Sequence, residues 1–429
     1  MKEWLKRLLT FRPAEPAAPI APGLYHAMHE TDQAFARFHL RVETDGSGML
    51  IANAMATARL SPTGVMIAKG LLEGKSETEI STKLKKHFSG ARDDMIRADI
   101  AQVNKIIEQV KAPGDSYPVF NLEDAATSPY SIQLIAPFQA SVPLAPPDVL
   151  VPILDRLWEV GIPHVTVLFP DNGDPAHLIR AVERAEDLGM IAGVRSRAGN
   201  LDDAGFLADL RQAGVDYVTF PYASPDAAIH DAVCGAGDLA AAERLLACLE
   251  EYQISAVAEI PLIQVTLDAL EETVETLLAK GADNLSFVAY PTLDAALAEE
   301  DGIFTGEGMA QVATTVEEIA DLAQARFMWN PPVERDPAKT LADQITAGPR
   351  CSGDVAVRVE PNGDVIPPRG RYESAGNLNG DTWDKIWNAP VFREYRERVE
   401  APTRCDVCPE LTICAAGCPR DPDSWARNA

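Results

Sequence analysis

The sequence predicts an α/β chain built around a partial (β/α)6 barrel, with a smaller domain on either side. Three observations lead to this prediction. After Ser131, six short apolar runs alternate with amphipathic helical stretches. Before this region a strand hairpin precedes three helices, and after it five of the seven cysteines lie between Cys351 and Cys418. Alternating strands and helices specify a parallel sheet with right-handed crossovers, which curls into a TIM-like full or partial barrel.

We divide the chain by these changes of pattern. Residues 1–23 are predicted to be an amphipathic helix and a proline-rich linker, and residues 24–114 a winged-helix-like domain. Residues 130–330 form the predicted barrel, and residues 331–429 the cysteine-rich domain. The first helix, residues 3–11, gathers its apolar side chains on one face. It can dock on a partner, make a peripheral membrane contact, or pack on its own domain.

The predicted N-terminal domain combines a hairpin with three helices. The hairpin runs from Phe38 to Asn53 around a turn at 45–48, and the helices begin after Ser61, after Ser76 with a capping box to Glu79, and before Ile96. If the first strand of the hairpin lies at a sheet edge, it can accept a peptide as an added strand. The alternative is that this edge pairs with the barrel domain of the same chain and is closed. The candidate peptide-binding residues are Phe38, Leu40, Val42, Met66, Ile67 and Leu71.

The barrel prediction gives bounds for each element. The strands are 132–136, 164–169, 191–194, 217–220, 256–260 and 285–289, and the helices are 149–160, 176–189, 203–213, 238–252, 267–280 and 307–323. Active sites on such barrels lie at the C-terminal ends of the strands. The loops that follow the strands are therefore where catalytic residues are expected.

Composition excludes several classes of function. With 64 Asp and Glu against 38 Lys and Arg, the chain carries a formal net charge of -26, which repels nucleic acid. No apolar run approaches the roughly 20 residues of a membrane span, and no secretory signal is visible, so we expect a cytoplasmic protein. Phosphate-binding glycine loops, the serine-hydrolase elbow and the zinc-protease helix motif are all absent.

The C-terminal cysteines predict a metal centre. Cys405-x2-Cys408-x5-Cys414-x3-Cys418 places four thiols within 14 residues, and the turn around Gly363 would return Cys351 toward them. Thiolates suit zinc and iron-sulfur clusters. The candidate ligands are Cys351, Cys405, Cys408, Cys414 and Cys418. Cys234 and Cys248 fall in or beside a helix and are interpreted as buried small residues.

These cysteines carry a resemblance to a known family. Their spacing, with Gly376-Asn377-Leu378 and Ile386-Trp387-Asn388 between them, resembles the SPASM domain of radical S-adenosylmethionine (SAM) peptide maturases, which holds auxiliary iron-sulfur clusters. The six βα units are similar to the partial barrel of that superfamily. Residues 60–64, 72–74, 79–80, Phe88 and 99–100 resemble the peptide-chaperone domain of pyrroloquinoline quinone biosynthesis. The resemblance implies that this domain binds a leader peptide or a partner protein.

The chain departs from the family at the catalytic cluster. The resemblance implies Cys-x3-Cys-x2-Cys after the first barrel strand, yet Ala140, Leu144 and Pro147 occupy those positions. The residues that the family places after strands two, three and four also differ, with Gly173-Asp174-Pro175 as a displaced remnant of one of them. We therefore expect neither a catalytic residue of the radical SAM type nor a bound SAM cofactor.

The auxiliary site is also reduced. Pro368 stands where the resemblance implies the second SPASM cysteine, and the final cysteine of the pattern is missing before Ala429. A single centre using four of the five thiols is simpler than two incomplete ones, and Asp421 or Asp423 can add an oxygen ligand. We expect one [4Fe-4S] cluster, with zinc as the alternative.

Three functional hypotheses follow. The leading one is a non-catalytic radical-SAM-like pseudoenzyme, acting as a peptide-binding or assembly partner in the maturation of a peptide-derived natural product or cofactor. The second is an active radical SAM enzyme that modifies a peptide. The third is an electron-transfer or metal-holding accessory subunit.

Overall fold

The computed structural model describes residues 20–31, 34–43, 45–52, 56–88, 92–111, 136–282, 284–305, 308–323, 327–330, 332–351, 356–368 and 372–392. The strands are β1 (Gly23–Thr31), β2 (Ala34–Val42), β3 (Gly48–Ala52), β4 (Ala56–Leu60), β5 (Gln139–Pro143), β6 (His164–Leu168), β7 (Ile191–Arg195), β8 (Tyr217–Pro221), β9 (Ser255–Leu262), β10 (Asn284–Ala289), β11 (Phe327–Trp329), β12 (Ala356–Val359) and β13 (Val365–Ile366). The predicted helix at 3–11 lies outside the described residues.

The helices follow the same order. They are α1 (Pro62–Leu72), α2 (Glu77–His87), α3 (Asp93–Lys111), α4 (Pro147–Glu159), α5 (Pro175–Asp187), α6 (Ala204–Ala213), α7 (Ala227–Cys234), α8 (Asp238–Glu251), α9 (Gln264–Asp268), α10 (Leu270–Ala279), α11 (Ala295–Asp301), α12 (Met309–Leu322), α13 (Leu341–Ala347) and α14 (Trp383–Trp387). None of the helices in the described ranges is long and apolar enough to cross a membrane.

The N-terminal region contains the predicted hairpin and helices, within a larger sheet. β1 to β4 form an antiparallel sheet in chain order, and β2 and β3 are the two strands of the hairpin. Ser61 caps α1, and Ser76 forms a capping box with Glu79 at the start of α2. The predictions of the hairpin and of these caps are confirmed. β1 and β4 were not predicted, because Gly, Ala, His and Thr interrupt their apolar alternation.

The expectation that β2 lies at a sheet edge is wrong. β2 pairs with β1 on one side and β3 on the other, so the outer strands are β1 and β4. Its residues Phe38, Leu40 and Val42 are buried in a core that also contains Met66 and Ile67. Leu71 is partly buried against the same core.

The central sheet has nine strands in the order β11-β10-β9-β8-β7-β6-β5-β12-β13. Strands β5 to β11 are parallel in sequence, β12 pairs parallel to β5, and β13 returns antiparallel to β12. Helices between successive strands pack on its outside, and one apolar core joins them to the sheet. The predicted partial barrel is confirmed, and the C-terminal hairpin β12–β13 extends it.

The first strand of the barrel lies later in the chain than its predicted position. The first strand lies at Gln139–Pro143, not at 132–136, of which only Ala136 is described. Gln139, Ser141 and Pro143 make β5 resemble a loop, yet Ser141 is buried between neighbouring strands. The segment that we interpreted as the loop after the first strand is therefore largely the strand itself.

Arg37 and His39 lie on the face of the N-terminal sheet opposite to Phe38 and Leu40. This face covers the lower end of the barrel, where the parallel strands begin. Arg37 on β2 donates to the Gly214 carbonyl at 2.7 Å and pairs with Glu186 and with Asp216, whose carboxylate lies 3.2 Å from Arg37 Nε. His39 lies 3.0 Å from the Gly189 carbonyl. Burial favours the neutral acid of Asp216, yet His39 and Arg37 hold its pKa below the usual range. Charged groups thus fix how the two sheets meet.

His164, the first residue of β6, is buried. Its Nε2 is 2.6 Å from the Tyr217 hydroxyl, which is also 2.6 Å from the Thr166 hydroxyl. Burial lowers the pKa of His164 from 6.5 to about 4, so the folded protein holds the ring neutral at pH 7. The unfolded chain takes up a proton on this ring at a higher pH than the folded chain does.

We therefore predict an acid-dependent loss of stability through His164. The neutral ring contributes its full stability above pH 6.5, and this is lost as the pH falls toward 4. Between pH 7.5 and pH 5 the loss is about 2 kcal/mol, since one pKa unit corresponds to about 1.4 kcal/mol. In thermal unfolding followed by circular dichroism, His164→Gln should reduce the difference in melting temperature between these pH values. His177→Gln, a control on α5, should leave the difference unchanged, and an unchanged difference in His164→Gln would contradict the assignment.

Candidate functional site at the upper end of the barrel

The connection after β5 is too short, and has the wrong residues, for a radical SAM cluster. Only residues 144–146 separate β5 from α4, whereas Cys-x3-Cys-x2-Cys spans eight residues. Ala140 is a buried residue inside β5, Leu144 lies in the connection, and Pro147 begins α4. The first cysteine of the chain is Cys234, so no change of alignment brings a thiol here. The residues present do not fit the cluster.

The residues after β6 form structural contacts within the chain. Asp174 caps α5 by accepting from the Ala176 amide at 2.9 Å, and Gly173 is covered by the Phe169 ring, which leaves no room for a side chain. The Ser196 hydroxyl donates to the Phe169 carbonyl at 2.7 Å. The displaced remnant expected at 173–175 is thus a helix cap.

A buried ion pair lies at the upper end of the barrel, where the parallel strands end. Arg195, the last residue of β7, donates through Nη2 to Glu259 Oε1 at 2.7 Å, and both side chains are at most 5% exposed. Burial alone would lower the pKa of Arg195, but Glu259 raises it above its ordinary value. The pair is therefore charged and shielded from water inside the barrel.

The same guanidinium holds the segment that follows the barrel. Arg195 donates to the carbonyls of Ile345, Thr346 and Ala347 at 3.3, 2.9 and 3.1 Å, which are the last residues of α13. A cation at the C-terminus of a helix satisfies its free carbonyls and complements its dipole. Gly348 ends the helix with φ of 70°, and a side chain there would collide with the guanidinium.

Apolar side chains fill the space beside this pair. Ile345 of α13 packs with residues that follow strands β8, β9 and β10, namely Ala223, Ile263 and Tyr290. All four are no more than 3% exposed. Within the part of the chain that the structure describes, the Tyr222 and Tyr290 hydroxyls are buried without a hydrogen-bond partner, and burial raises the pKa of Tyr222 to about 12. The end of the barrel at which this fold usually holds its active site is packed with the chain's own residues.

The C-terminal hairpin brings the positions of two SPASM ligands together. Cys351 is 1% exposed, and its neighbour Arg350 donates to the Pro367 carbonyl at 3.0 Å. This contact places Arg350, the neighbour of Cys351, beside Pro367, the neighbour of Pro368. The turn at Gly363, with φ of 91°, is fixed by the Asn377 amide, which donates to the Asn362 carbonyl at 2.9 Å. Cys405, Cys408, Cys414 and Cys418 lie outside the described residues.

A cavity lies beside the outer strand β1. It has a volume of about 320 Å³ and is lined by Leu24, Tyr25, His26, Ala27, Leu40, Lys69, Leu72, Glu73, Asp187 and Leu188. These residues come from β1, β2, α1 and the end of α5, so the cavity lies where the N-terminal sheet meets the barrel. Of the candidate peptide-binding residues, Leu40 lines this cavity.

Comparisons with known proteins agree with this architecture. Residues 351–409 match the SPASM family, described as an iron-sulfur cluster-binding domain. The structure of Streptococcus suis SuiB bound to S-adenosylmethionine has a TM-score of 0.52 at 14% identity, covering 91% of this chain and 95% of SuiB. SuiB bound to its precursor peptide SuiA has a TM-score of 0.50 at 14% identity, covering 92% of this chain and 95% of SuiB. No curated protein sequence matches the chain. The predicted resemblance to the radical SAM/SPASM maturases is thus confirmed at the level of the fold and of the C-terminal SPASM segment.

Two groups of site residues were not found from the sequence. Arg195 is the last residue of β7, and Glu259 lies in β9. The two residues are 64 positions apart in the sequence, so no local pattern connects them. His230, Cys234 and Asp238 form a second buried cluster, and their regular spacing of four residues was a signal that could have been used.

We predict that the Arg195–Glu259 pair is required for a stable upper end of the barrel. Arg195→Met leaves a buried carboxylate without its partner and should cost about 3–5 kcal/mol. In denaturant unfolding, Arg195→Met combined with Glu259→Gln should recover part of this loss, because no unpaired charge remains. An Arg195→Met protein as stable as the wild type would contradict a buried, charged pair.

Proposed function

We propose that the chain is a non-catalytic relative of radical SAM peptide maturases, which binds a peptide or a protein partner during maturation of a peptide-derived natural product or cofactor. The observation that supports this most strongly is the three-residue connection after β5, with Leu144 in place of a thiol and no cysteine before Cys234. A radical SAM reaction needs an iron with an open position at this end of the barrel, and the chain offers no ligands for it there.

The packing above the strands supports the same proposal. Loss of the thiols alone would leave a cavity where a cofactor had been. Instead the Arg195–Glu259 pair and Ile345 fill the space between the strands and α13. A buried salt bridge with this many hydrogen bonds is costly to open, since each partner would be left in a dry environment. The barrel then serves as a scaffold for the two domains that flank it.

The C-terminal domain would hold one metal centre. The SPASM match and the buried Cys351 favour an iron-sulfur cluster over zinc. Cys405, Cys408, Cys414 and Cys418 are the proposed further ligands, and the cluster would contribute folding energy to a short domain. Pro368 cannot ligate iron, so the hairpin supplies at most one thiol.

The cavity beside β1 is the proposed peptide site. β1 has an outer edge that can pair with an added strand, and the cavity can take apolar side chains of that strand. The structure of SuiB with a precursor peptide provides a precedent in a protein of the same fold. The proposed partner is therefore a leader peptide or a protein segment in extended conformation.

We predict that the protein does not cleave SAM. Anaerobically reconstituted protein, incubated with dithionite and SAM, should produce no 5′-deoxyadenosine above a sample without cluster, because the barrel has no ligands for the reactive iron. Chromatography with mass detection measures the product. A known radical SAM enzyme treated in parallel is the positive control, and multiple turnovers by this chain would overturn the proposal.

A second prediction concerns the cavity beside β1. Selection of a displayed peptide library on the full-length protein should enrich related sequences with alternating apolar residues. Leu72→Arg, which fills the cavity with a charged side chain, should weaken their binding at least tenfold, as measured by fluorescence anisotropy. Met95→Arg is the matched control, since Met95 is 54% exposed on α3 and does not line the cavity. Equal binding by the Leu72→Arg protein would exclude the cavity as the peptide site.

A further inference from the structure

A cluster of three metal-ligating side chains lies near the upper end of the barrel, apart from the C-terminal cysteines. His230 and Cys234 are four residues apart on α7 and therefore share one face of the helix. Asp238 begins α8 after a turn in which Gly235 and Gly237 adopt φ of 114° and 76°. One ligand atom from each side chain lies within 4.8 Å of the others, and all three residues are buried.

The carboxylate of Asp238 is held more weakly than a buried charge requires. Its nearest partners are His230 Nε2 at 3.3 Å, the Gly199 amide at 3.4 Å and Arg197 Nε at 3.7 Å. Good charge-assisted hydrogen bonds are about 2.7–2.9 Å long. The side chains of His230 and Asp238 are fully buried, so water does not replace the missing interactions. A buried carboxylate surrounded by long contacts is the arrangement that a cation would complete.

We propose that His230, Cys234 and Asp238 bind one divalent metal ion of the zinc class. The donors are an imidazole nitrogen, a thiolate and a carboxylate oxygen, which together match the preferences of zinc. The distance of 3.3 Å between His230 Nε2 and Asp238 Oδ2 is the separation of two ligands in a tetrahedron with bonds of about 2.0 Å. The sulfur must approach by a rotation of the Cys234 side chain.

Binding of the ion requires that two protons leave their present positions. The thiol of Cys234 releases its proton to solvent, and the proton on His230 Nε2 moves to Nδ1. The Ala223 amide donates to Nδ1 at 3.3 Å in the metal-free protein and also reaches the Cys234 sulfur. Because two donors cannot face each other, this amide must turn from Nδ1 to the thiolate when the ion binds.

A neighbouring polar group lies beside the site. The Tyr222 ring packs edge-on against His230 with 5.0 Å between the ring centres. Tyr222 is fully buried, and its hydroxyl has no hydrogen-bond partner among the described residues. Three protein ligands leave the fourth position of a zinc ion for a water, which would supply a polar partner in this region. The bound ion would tie α7 to α8 and leave the C-terminal centre unaffected.

Metal stoichiometry of the full-length chain tests the proposal. Chelator-treated wild-type protein and three variants, Cys234→Ala, His230→Gln and Cys248→Ala, are titrated anaerobically with Zn²⁺ and with Co²⁺. The C-terminal cysteines are the same in all four proteins, so their metal cancels from the difference. Cys248 is a half-buried cysteine on α8, and its replacement serves as the control. The wild type and Cys248→Ala should each bind one ion more than Cys234→Ala and His230→Gln. The additional Co²⁺ should show the absorption of a tetrahedral site with one thiolate.

A second measurement needs only the wild-type protein. Alkylation of each cysteine is followed by peptide mass spectrometry in mild denaturant, with and without stoichiometric Zn²⁺. Zn²⁺ should slow the modification of Cys234 at least tenfold and leave Cys248 unchanged. Equal stoichiometry in the folded wild-type and Cys234→Ala proteins would show a hydrogen-bonded cluster without a metal. If the variants do not fold, an unchanged alkylation rate of Cys234 overturns the proposal by itself.

Discussion

The arrangement of the upper end of the barrel depends on one buried guanidinium. Arg195 leaves the end of β7, neutralises Glu259 of β9 and satisfies the last carbonyls of α13 at the same time. A buried arginine is stable only when nearly all of its donors are used, and here the strands and the segment after the barrel share them. These contacts fix α13 across the ends of the strands. These contacts lie at the end of the barrel at which this fold usually holds its active site, and they are expensive to break.

Charged residues also determine the structure at the lower end of the barrel, where they hold the N-terminal sheet against the strands. Arg37 on β2 pairs with Glu186 and Asp216 of the barrel, so this face of the N-terminal sheet packs against the barrel. The opposite face of β2 supplies Phe38 and Leu40 to the N-terminal core. Among the described residues both faces of this sheet are covered, and the cavity at β1 lies at one of its outer strands. The proposed peptide site and the scaffold role of the barrel are thus consequences of the same arrangement.

The sequence was sufficient for features with a local pattern. Capping residues such as Ser61 and Ser76, and the apolar runs of β6 to β10, predicted their elements within a few positions. It was insufficient where tertiary packing decided the outcome. β5 contains Gln139 and Pro143 and becomes a strand because its neighbours on both sides pair with it. β2 was placed at an edge because β1 has a weak pattern of its own. The Arg195–Glu259 pair joins distant strands, and only the fold brings it together.

If the barrel holds no reactive cluster, as we propose, all bound iron belongs to the C-terminal cysteines. Iron and sulfide analysis of anaerobically purified protein, combined with electron paramagnetic resonance of the reduced state with and without SAM, distinguishes this from an active radical SAM enzyme. We expect the content of a single cluster, about four irons and four sulfides per chain, with a spectrum that SAM leaves unchanged. A second cluster, or a signal that shifts when SAM is added, would contradict it.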